Sequence, residues 1–537
     1  MKSAFKHSRR YFLQTAAPAV VGSISSIASI LSHAQAPALV TSERLRPQLL
    51  HGVQSGDTTY NSSMVWARTD RESKMWVEWD TEEKFTNPRT IAAPYALEDT
   101  DFTARIDLNP LPSGEDIFYR VRFEDLRSGA MSGDVQGHFR TPHRSKKSIR
   151  FLWSGDTAGQ GWGINPEQGG MTTYEVMRSL NPDFFIHSGD NIYADGPIKS
   201  EVLITQGPLK GMIWKNIVTE EKSKVAETLN EFRGNFRYNM MDHNVRRFNS
   251  EVSQIWQWDD HEVLNNYSVS KDIANDQRYK EKSVSLLTAR ARKAFLEYAP
   301  MRWNTQTEEQ RIYRKLSQGP LLDVFVIDMR SYRGGNSFNR QETSNADSQY
   351  LGARQLEWLK RELKSSKAVW KIIAADMPIG LQVEDGFDKE GRPSFEAVAN
   401  GDGPALGREL EIAELLSFIK NQKIRNTVWI TADTHYTAAH YYNPKSAIFK
   451  DFDPFWEFMS GPLSSGTFGP NKTDNTFGIE VKFQKHPEQG RVNLCPAEGL
   501  QFFGDIQIDA KTAHLNVDLR DMKGHSLWST YLLPRWH

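Results

Sequence analysis

The sequence predicts an α/β layered core preceded by an all-β domain, and three observations carry that expectation. From about Pro47 to Thr141, short runs of alternating apolar and polar residues are separated by turn residues. After Ile149 the texture changes to apolar runs separated by segments of helical spacing, the pattern of strands alternating with helices. Several of those apolar runs stop abruptly in an acid. In open α/β sheets the C-terminal ends of the strands are where ligands gather, so these acids are the first candidates for function.

The chain has 537 residues, 39% hydrophobic and 25% charged, enough for more than one domain core. A formal net charge of -1 leaves no overall electrostatic footprint for nucleic acid or an anionic membrane. Cys495 is the only cysteine, so an intrachain disulfide and a multi-cysteine zinc site are both excluded. Any metal must be held by oxygen and imidazole.

The first residues read as an address. Ser8-Arg9-Arg10-Tyr11-Phe12-Leu13-Gln14, the weakly apolar Ala16–Leu31 and the small residues Ala34-Gln35-Ala36 resemble a twin-arginine signal peptide over 1–36. That implies the twin-arginine translocation machinery as a partner and a periplasmic or secreted location. The apolar part is too short and too rich in serine to span a bilayer stably. No other stretch reaches transmembrane length, and the mature chain is expected to be free in that compartment as a monomer.

Met64–Arg68, Met75–Trp79, Phe102–Ile106 and Phe118–Phe123 read as strands of a small antiparallel sandwich over 45–142. Leu111-Pro112-Ser113-Gly114 and the closing Gly137–Pro142 resemble fibronectin type III or immunoglobulin-like domains. His51–Asp57 reads as a structural turn, and His143–Lys147 as the junction to a core over 148–537. Within that core Met171–Leu180, Ala289–Tyr298, Ala353–Leu363 and Gly407–Lys420 have helical spacing. Thr219–Glu251 reads as a charged helix whose Arg233, Arg237, Arg246 and Arg247 face solvent rather than a substrate. Gly461–Gly466 is either a lid over the cleft or a plain connection, and His514–Leu519 with Leu527–Leu532 reads as a hairpin completing the core's second sheet.

The acids recur in one pattern. Phe151-Leu152-Trp153 runs into Asp156, Phe184-Phe185-Ile186 into Asp190, and Ile255-Trp256 into Asp259-Asp260-His261-Glu262. Val324–Ile327 runs into Asp328-Met329-Arg330, Ile372–Ala375 into Asp376, and Val428–Ile430 into Asp433-Thr434-His435. One such acid alone is more readily a loop or N-cap residue. Their repetition at strand ends, with Tyr193 and Asp195 close behind Asp190, points to a metal site rich in hard oxygen ligands.

Gly189–Asp195, Trp258–Glu262, Asp328–Arg333 and Ala432–His435, in that order, resemble the motifs of the PhoD-type alkaline phosphatases, relatives of the purple acid phosphatases within the metallophosphoesterases. The resemblance implies a four-layer α/β/β/α core and hydrolysis of phosphate monoesters and diesters. Position by position it implies that Asp190 bridges two metals, that Tyr193 binds a ferric ion as phenolate, and that Asp260 binds the second metal. Asp433 and His435 would then serve one metal each, His261 would be the catalytic histidine, and Arg330 would hold the phosphate together with His261. Where many members have a cysteine this chain reads Ser154-Gly155-Asp156-Thr157, so Asp156 takes the thiolate's place and hardens the site. Asp376 has no counterpart in the family pattern.

A binuclear or multinuclear centre follows from the same resemblance, Fe(III) with Ca(II) first, Mn(II) or Mg(II) also suiting the oxygen ligands. Two metals about 3.5–4 Å apart would lower the pKa of a bound water towards 7 and clamp the phosphoryl oxygens. His261 would stabilise the phosphoryl group or protonate the leaving oxygen, and Arg330 would offer a bidentate fork. Two rival readings stand beside this one. The first is a phosphodiesterase or phospholipase D-like enzyme for nucleotide or lipid diesters, with Trp162 and Trp214 near the mouth; the other is a non-enzymatic exported calcium-binding protein whose β-domain does the work.

Overall fold

The computed structural model describes residues 43–302 and 311–536, so the expected signal peptide over 1–36 lies outside the described residues. Two large sheets dominate. Ile149–Ser154, Phe184–Ser188 and Ser253–Gln257 run parallel in the middle of a nine-stranded sheet, with Phe502–Ile508, Leu515–Asp521 and Ser526–Leu532 added antiparallel on one side. Leu322–Val326, Trp370–Ala374, Thr427–Thr431 and Phe455–Met459 run parallel in a seven-stranded one.

Period-two alternation explains how these sheets stack. Phe151, Trp153, Phe184, Ile186 and Ile255 from one sheet meet Val324, Val326, Ile372, Ala374, Val428 and Ile430 from the other in a single buried cluster. The intervening residues face outward onto helices. Leu152 and Phe185 lie under the Thr172–Ser179 and His243–Glu251 helices through Tyr174, Met177 and Phe248. Phe325, Ile373 and Trp429 lie under the Ala353–Ser365 and Glu409–Asn421 helices through Leu356, Leu359, Ile412 and Leu416. The layers are helix, sheet, sheet, helix, the α/β/β/α sandwich that the motifs implied.

The N-terminal segment is all-β, but it is joined to the core more closely than a separate domain would be. Ser73–Asp80, Arg89–Ala96, Asp116–Asp125 and Val135–Arg140 form a four-stranded sheet that packs on Val53–Gly56, Ser63–Arg68 and Thr103–Leu108. Those last three strands are the end of the nine-stranded sheet, because Val53–Gly56 pairs in parallel with Ser253–Gln257 at Gly56 and Gln254. His51–Asp57 is therefore mostly a buried strand, not a turn. At Gly56 a Cβ would lie 2.4 Å from the Pro300 carbonyl oxygen and 2.6 Å from that of Gln254, so only glycine fits the join. Asp57 then accepts from Arg314 Nη2 at 2.7 Å and from the Arg302 amide at 2.8 Å.

Three further expectations change. Thr219–Glu251 holds two helices, Leu229–Asn239 begun by a Thr228/Glu231 capping box and His243–Glu251 begun by Asp242. Its arginines serve the fold: Arg233 grips Glu297 at 2.7 Å, Arg237 reaches Asp101 at 2.5 Å, and Arg246 donates to the Met241 carbonyl at 2.8 Å. Gly461–Gly466 is buried, with Leu463 N–H bonded to Gly155 O at 2.9 Å and Ala158 N–H to Ser464 O at 2.8 Å, so it is a fixed wall and not a lid. The C-terminal hairpin extends the sheet of Ile149–Ser154 rather than the other one, because Phe502–Ile508 pairs with both.

Ile372 is fully buried between the two sheets. Ile372→Ala should lower the unfolding free energy by about 2–5 kcal/mol, read as a shifted midpoint in urea denaturation.

Candidate metal centre

Parallel register brings the C-terminal ends of the core strands to one edge, and the turns that follow them bend the acids back across it. Asp156, Asp190, Asp433 and His435 have φ of 67°, 49°, 65° and 62°, in the left-handed region that L-residues other than Asn and Asp seldom enter. Such conformations persist when the surroundings over-determine them. Gly189 at φ 100° lets the Asp190 turn pass the next strand, since a Cβ there would lie 2.4 Å from Asp259 Cβ. Gly461 does the same for Asp156, whose Oδ2 would be 2.3 Å from an added Cβ.

Three overlapping groups result. Asp156, Asp190 and His435 bring one ligand atom each within 4.8 Å of one another, as do Asp190, Asp260 and His261, and Asp259, Asp260 and Asp433. Asp190 belongs to the first two and Asp260 to the last two, so the acids form a chain of adjoining positions in which Asp190 is placed to be shared. Tyr193 OH lies 2.8 Å from His435 Nε2, beside the first group. The Nδ1–H of His435 donates to the Gly466 carbonyl, which leaves the Nε2 lone pair to accept from Tyr193 OH, with Asp156 Oδ1 at 3.5 Å. Burial lowers the His435 pKa to about 4, so the ring is in the neutral, metal-ligating form.

Asp156 supplies the test of whether a metal fits. Its side chain is fully buried and neither carboxylate oxygen has a hydrogen-bond partner among the described residues; Asp259 Oδ2 is likewise without one. Burial pushes Asp156 up to about 8 and holds Asp190, Asp259 and Asp433 well above the ordinary carboxylate range. A buried, unpartnered carboxylate is costly unless a cation meets it, and the oxygen-rich donor set suits hard ions. The residues fit a multinuclear centre.

His261 is held from behind. Its Nδ1 lies 2.6 Å from Asp195 Oδ1, and the other Asp195 oxygen accepts the Asn265 amide at 2.9 Å. Burial opposes charge on the ring, but Asp195, Asp260 and Asp190 outweigh it and hold its pKa well above the ordinary value. Glu262 ties the loops together by accepting the amides of Asp190, Asn191 and Asp259 at 3.2, 2.6 and 2.8 Å. The sequence offered Asp195 as a further oxygen ligand and carried Glu262 inside a motif without a role; the structure makes the first the partner of His261 and the second a brace for backbone amides.

Arg330 is placed otherwise than the motif suggests. Its side chain is 0% exposed and meets Asp259 at 2.5 Å, Asp376 at 2.9 Å, Asp433 at 3.1 Å and also Glu396. A guanidinium engaged with four carboxylates has no face left for phosphate, so Arg330 is the counter-ion of the acid cluster. Asp376 sits behind it as a partner and joins none of the three ligand groups. Glu396, which no sequence signal marked, lines the cavity.

A cavity of about 430 Å³ opens onto Asp190, Asp260, His261, Asp433 and His435. The larger cavity of about 670 Å³, beside Arg140, His143 and Tyr531, lies at the opposite ends of the strands and gathers no such ligand group. Trp162 and Trp214 pack edge to face at 6.0 Å with buried Cys495, so they are structural, and the thiol belongs to none of the three ligand groups.

Fold and edge together define an α/β/β/α sandwich with a carboxylate-rich cluster that could hold metals. The model of the PhoD-like phosphatase family matches residues 151–519, and that of the PhoD-like phosphatase N-terminal domain matches 33–143. The chain belongs to the PhoD-like phosphatase family. Alkaline phosphatase D of Bacillus subtilis (strain 168) is 28% identical over 358 residues, covering 64% of this chain and 54% of the relative, so the match spans about half of that relative's length. A solved structure of PhoD superposes with a TM-score of 0.65 at 20% identity, covering 90% of this chain and 89% of that one. The purple acid phosphatase PPD1 from yellow lupin (Lupinus luteus) seeds gives 0.53 at 12% identity, covering 91% and 74%. At these identities the two structures establish the fold.

The raised carboxyl groups set a pH dependence. In the metal-free protein Asp156 keeps its proton up to about 8, whereas an unfolded aspartate releases it near 4, so its contribution to stability is present below about pH 4 and is lost as pH rises through about 8. The metal-stripped protein should therefore melt at a lower temperature at pH 8.5 than at pH 5, whereas adding metal at neutral pH should release protons, measurable in a weakly buffered solution.

Proposed function

We propose that the protein is an exported, metal-dependent phosphoric ester hydrolase of the alkaline phosphatase D type, acting on phosphate monoesters and diesters. The observation that carries this reading is the chain of three ligand groups linked by Asp190 and Asp260 at the open floor of the 430 Å³ cavity. Family membership supports it, and the Ser8–Gln14 motif supports export to the periplasm or beyond through the twin-arginine machinery. No helix of the described residues is long and apolar enough to cross a membrane. The working unit is taken as a monomer.

Asp156, Asp190, Tyr193 and His435 would hold one metal, Fe(III) by the phenolate's preference, and Asp190, Asp260 and Asp433 the next, Ca(II), Mn(II) or Mg(II) by their carboxylates. When bound, the metals supply positive charge to the phosphoryl oxygens and a water ionised near neutral pH. The chain's own residues do the rest. Asp195 fixes the His261 ring through Nδ1 and stabilises its charged form, so that Nε2–H faces the cavity as a proton donor to the leaving oxygen or the phosphoryl group. Arg330, with Asp376 and Glu396, keeps Asp259 and Asp433 in place without touching substrate.

The cavity lining favours the diester. Among the described residues that line it there is no lysine or arginine; beyond the acids and imidazoles stand the amides of Asn265, Asn266 and Asn471 and the apolar Val383 and Phe468. A monoester dianion would have only the metals and the His261 imidazolium to meet its second charge. A diester has one charge fewer and a second ester group that those amides and apolar atoms can cover.

Hydrolysis of p-nitrophenyl phosphate and bis-p-nitrophenyl phosphate by metal-analysed protein tests the reading, with a higher kcat/KM expected for the diester. No turnover of either ester would overturn it, and a centre containing zinc alone would overturn the metal assignment. Asp190→Asn should lose both activities by more than ~100-fold and lower the metal content, with the circular dichroism spectrum retained. Asp195→Asn should keep its metals yet lower kcat by about 10–100-fold, most for the poorest leaving group, because only the proton donor is disturbed.

A further inference from the structure

Behind the acid cluster lies the helix Leu229–Asn239, one face of which is polar although it is buried. Asn235 and Asn239 stand four residues apart, so their side chains leave the helix on the same side. Asn239 Nδ2 donates to the Asn191 carbonyl at 2.6 Å and reaches the Thr157 carbonyl at 3.5 Å. Asn191 follows Asp190 and Thr157 follows Asp156, so a single amide group holds the backbone just beyond two candidate ligands. One helical turn earlier, Asn235 Oδ1 accepts from Lys222 Nζ at 3.0 Å, and the same Nζ donates to the Tyr193 carbonyl at 2.8 Å. The face thus reaches the main chain at three places, one beside each of Asp156, Asp190 and Tyr193.

The two aspartate turns also hold each other, through Asp156 N–H to the Gly189 carbonyl at 3.3 Å and Thr157 N–H to the Asp190 carbonyl at 3.0 Å. Neither bond extends to Tyr193; the helix face ties all three together. Packing does not account for the choice of residues. Lys222 is buried and, among the described residues, has no ion pair, an arrangement that costs more than an apolar side chain in the same space. The neighbouring ligands are braced from elsewhere, Asp433 by Arg330 at 3.1 Å and Asp260 by the Asn266 amide.

We propose that Asn239 and the Asn235–Lys222 pair are positioning residues for one cation of the centre, the one assigned to Asp156, Asp190, Tyr193 and His435. They set the spacing of three of its four ligands and leave the cation at Asp260 and Asp433 largely to other braces. The inference rests on the metal-dependent reading above, but its test counts metal and needs no turnover.

Purified holoprotein is dialysed against rising concentrations of EDTA, and the metal left on the wild type, Asn239→Ala, Lys222→Met and Phe232→Leu is measured by elemental analysis. Asn239 borders a cavity of about 20 Å³, so in Asn239→Ala a water has room to meet the two carbonyls and the fold should persist, as circular dichroism checks. Phe232 is buried on the same helix and has no polar side-chain atom, so Phe232→Leu loosens the helix without removing a hydrogen bond to the turns. Asn239→Ala and Lys222→Met should each lose one cation per chain at about tenfold lower EDTA than the wild type, with the remaining metal released within about twofold of it. Phe232→Leu should melt at a lower temperature yet release its metal as the wild type does. Unchanged release from Asn239→Ala and Lys222→Met, parallel release of all metal, or equally early release from Phe232→Leu would overturn the proposal. A wild-type chain carrying no metal would overturn it together with the centre. Early release of one cation from a protein that hydrolyses neither ester would uphold the positioning and sink only the proposed activity.

Discussion

Crowded, buried negative charge is the constraint on which the rest of this structure depends. Asp156, Asp190, Asp259 and Asp260 are buried at one sheet edge with Asp433 alongside, each within ligand distance of others. Carboxylates this close repel strongly where little water screens them, so the arrangement needs either retained protons or positive charge. The molecule supplies part of that charge and leaves a remainder that cations could supply. The tight left-handed turns at Asp156, Asp190, Asp433 and His435 are the conformational cost of aiming several ligands at one point.

The internal share of the positive charge is organised in two directions. Towards the cavity, His261 is charged by its environment and oriented by Asp195. Away from it, Arg330 straddles the sandwich: Asp259 follows a strand of the nine-stranded sheet, while Asp376 and Asp433 follow strands of the seven-stranded one. A single guanidinium thus links the edges of both sheets. Its removal would leave four carboxylates facing one another without a counter-ion, a defect of the whole centre and not of one contact.

Most of the fold was legible because it is written in local patterns. The alternation of Phe151-Leu152-Trp153 or Val324–Ile327 encodes a strand covered on both sides, and each acid that follows marks the strand's end. What escaped reading depends on partners distant in sequence. Val53–Gly56 has too few residues to announce a strand, and only its pairing with Ser253–Gln257 makes it one. Arg330 lies in a motif that suggested phosphate, but its burial is decided by Glu396 and Asp376, neither of which carries a local signal of that pairing. Asp195 is hidden in a similar way: a carboxylate five residues after Asp190 looks like another ligand until the His261 ring is seen against it. Gly461–Gly466, rich in residues typical of loops, is buried through backbone bonds to Gly155 and Ala158 that no composition rule registers.

The continuous sheet running from Thr103–Leu108 through Val53–Gly56 into Ser253–Gln257 has a consequence for how the chain can be divided. Cutting away the first hundred or so residues would not release a tidy module. It would strip the cover from the Ser253–Gln257 strand, whose backbone amides and carbonyls would then invite any passing strand to pair. The loop bearing Asp259, Asp260 and His261 grows directly from that exposed border, so the truncated remnant would aggregate from the very place where its ligands are rooted.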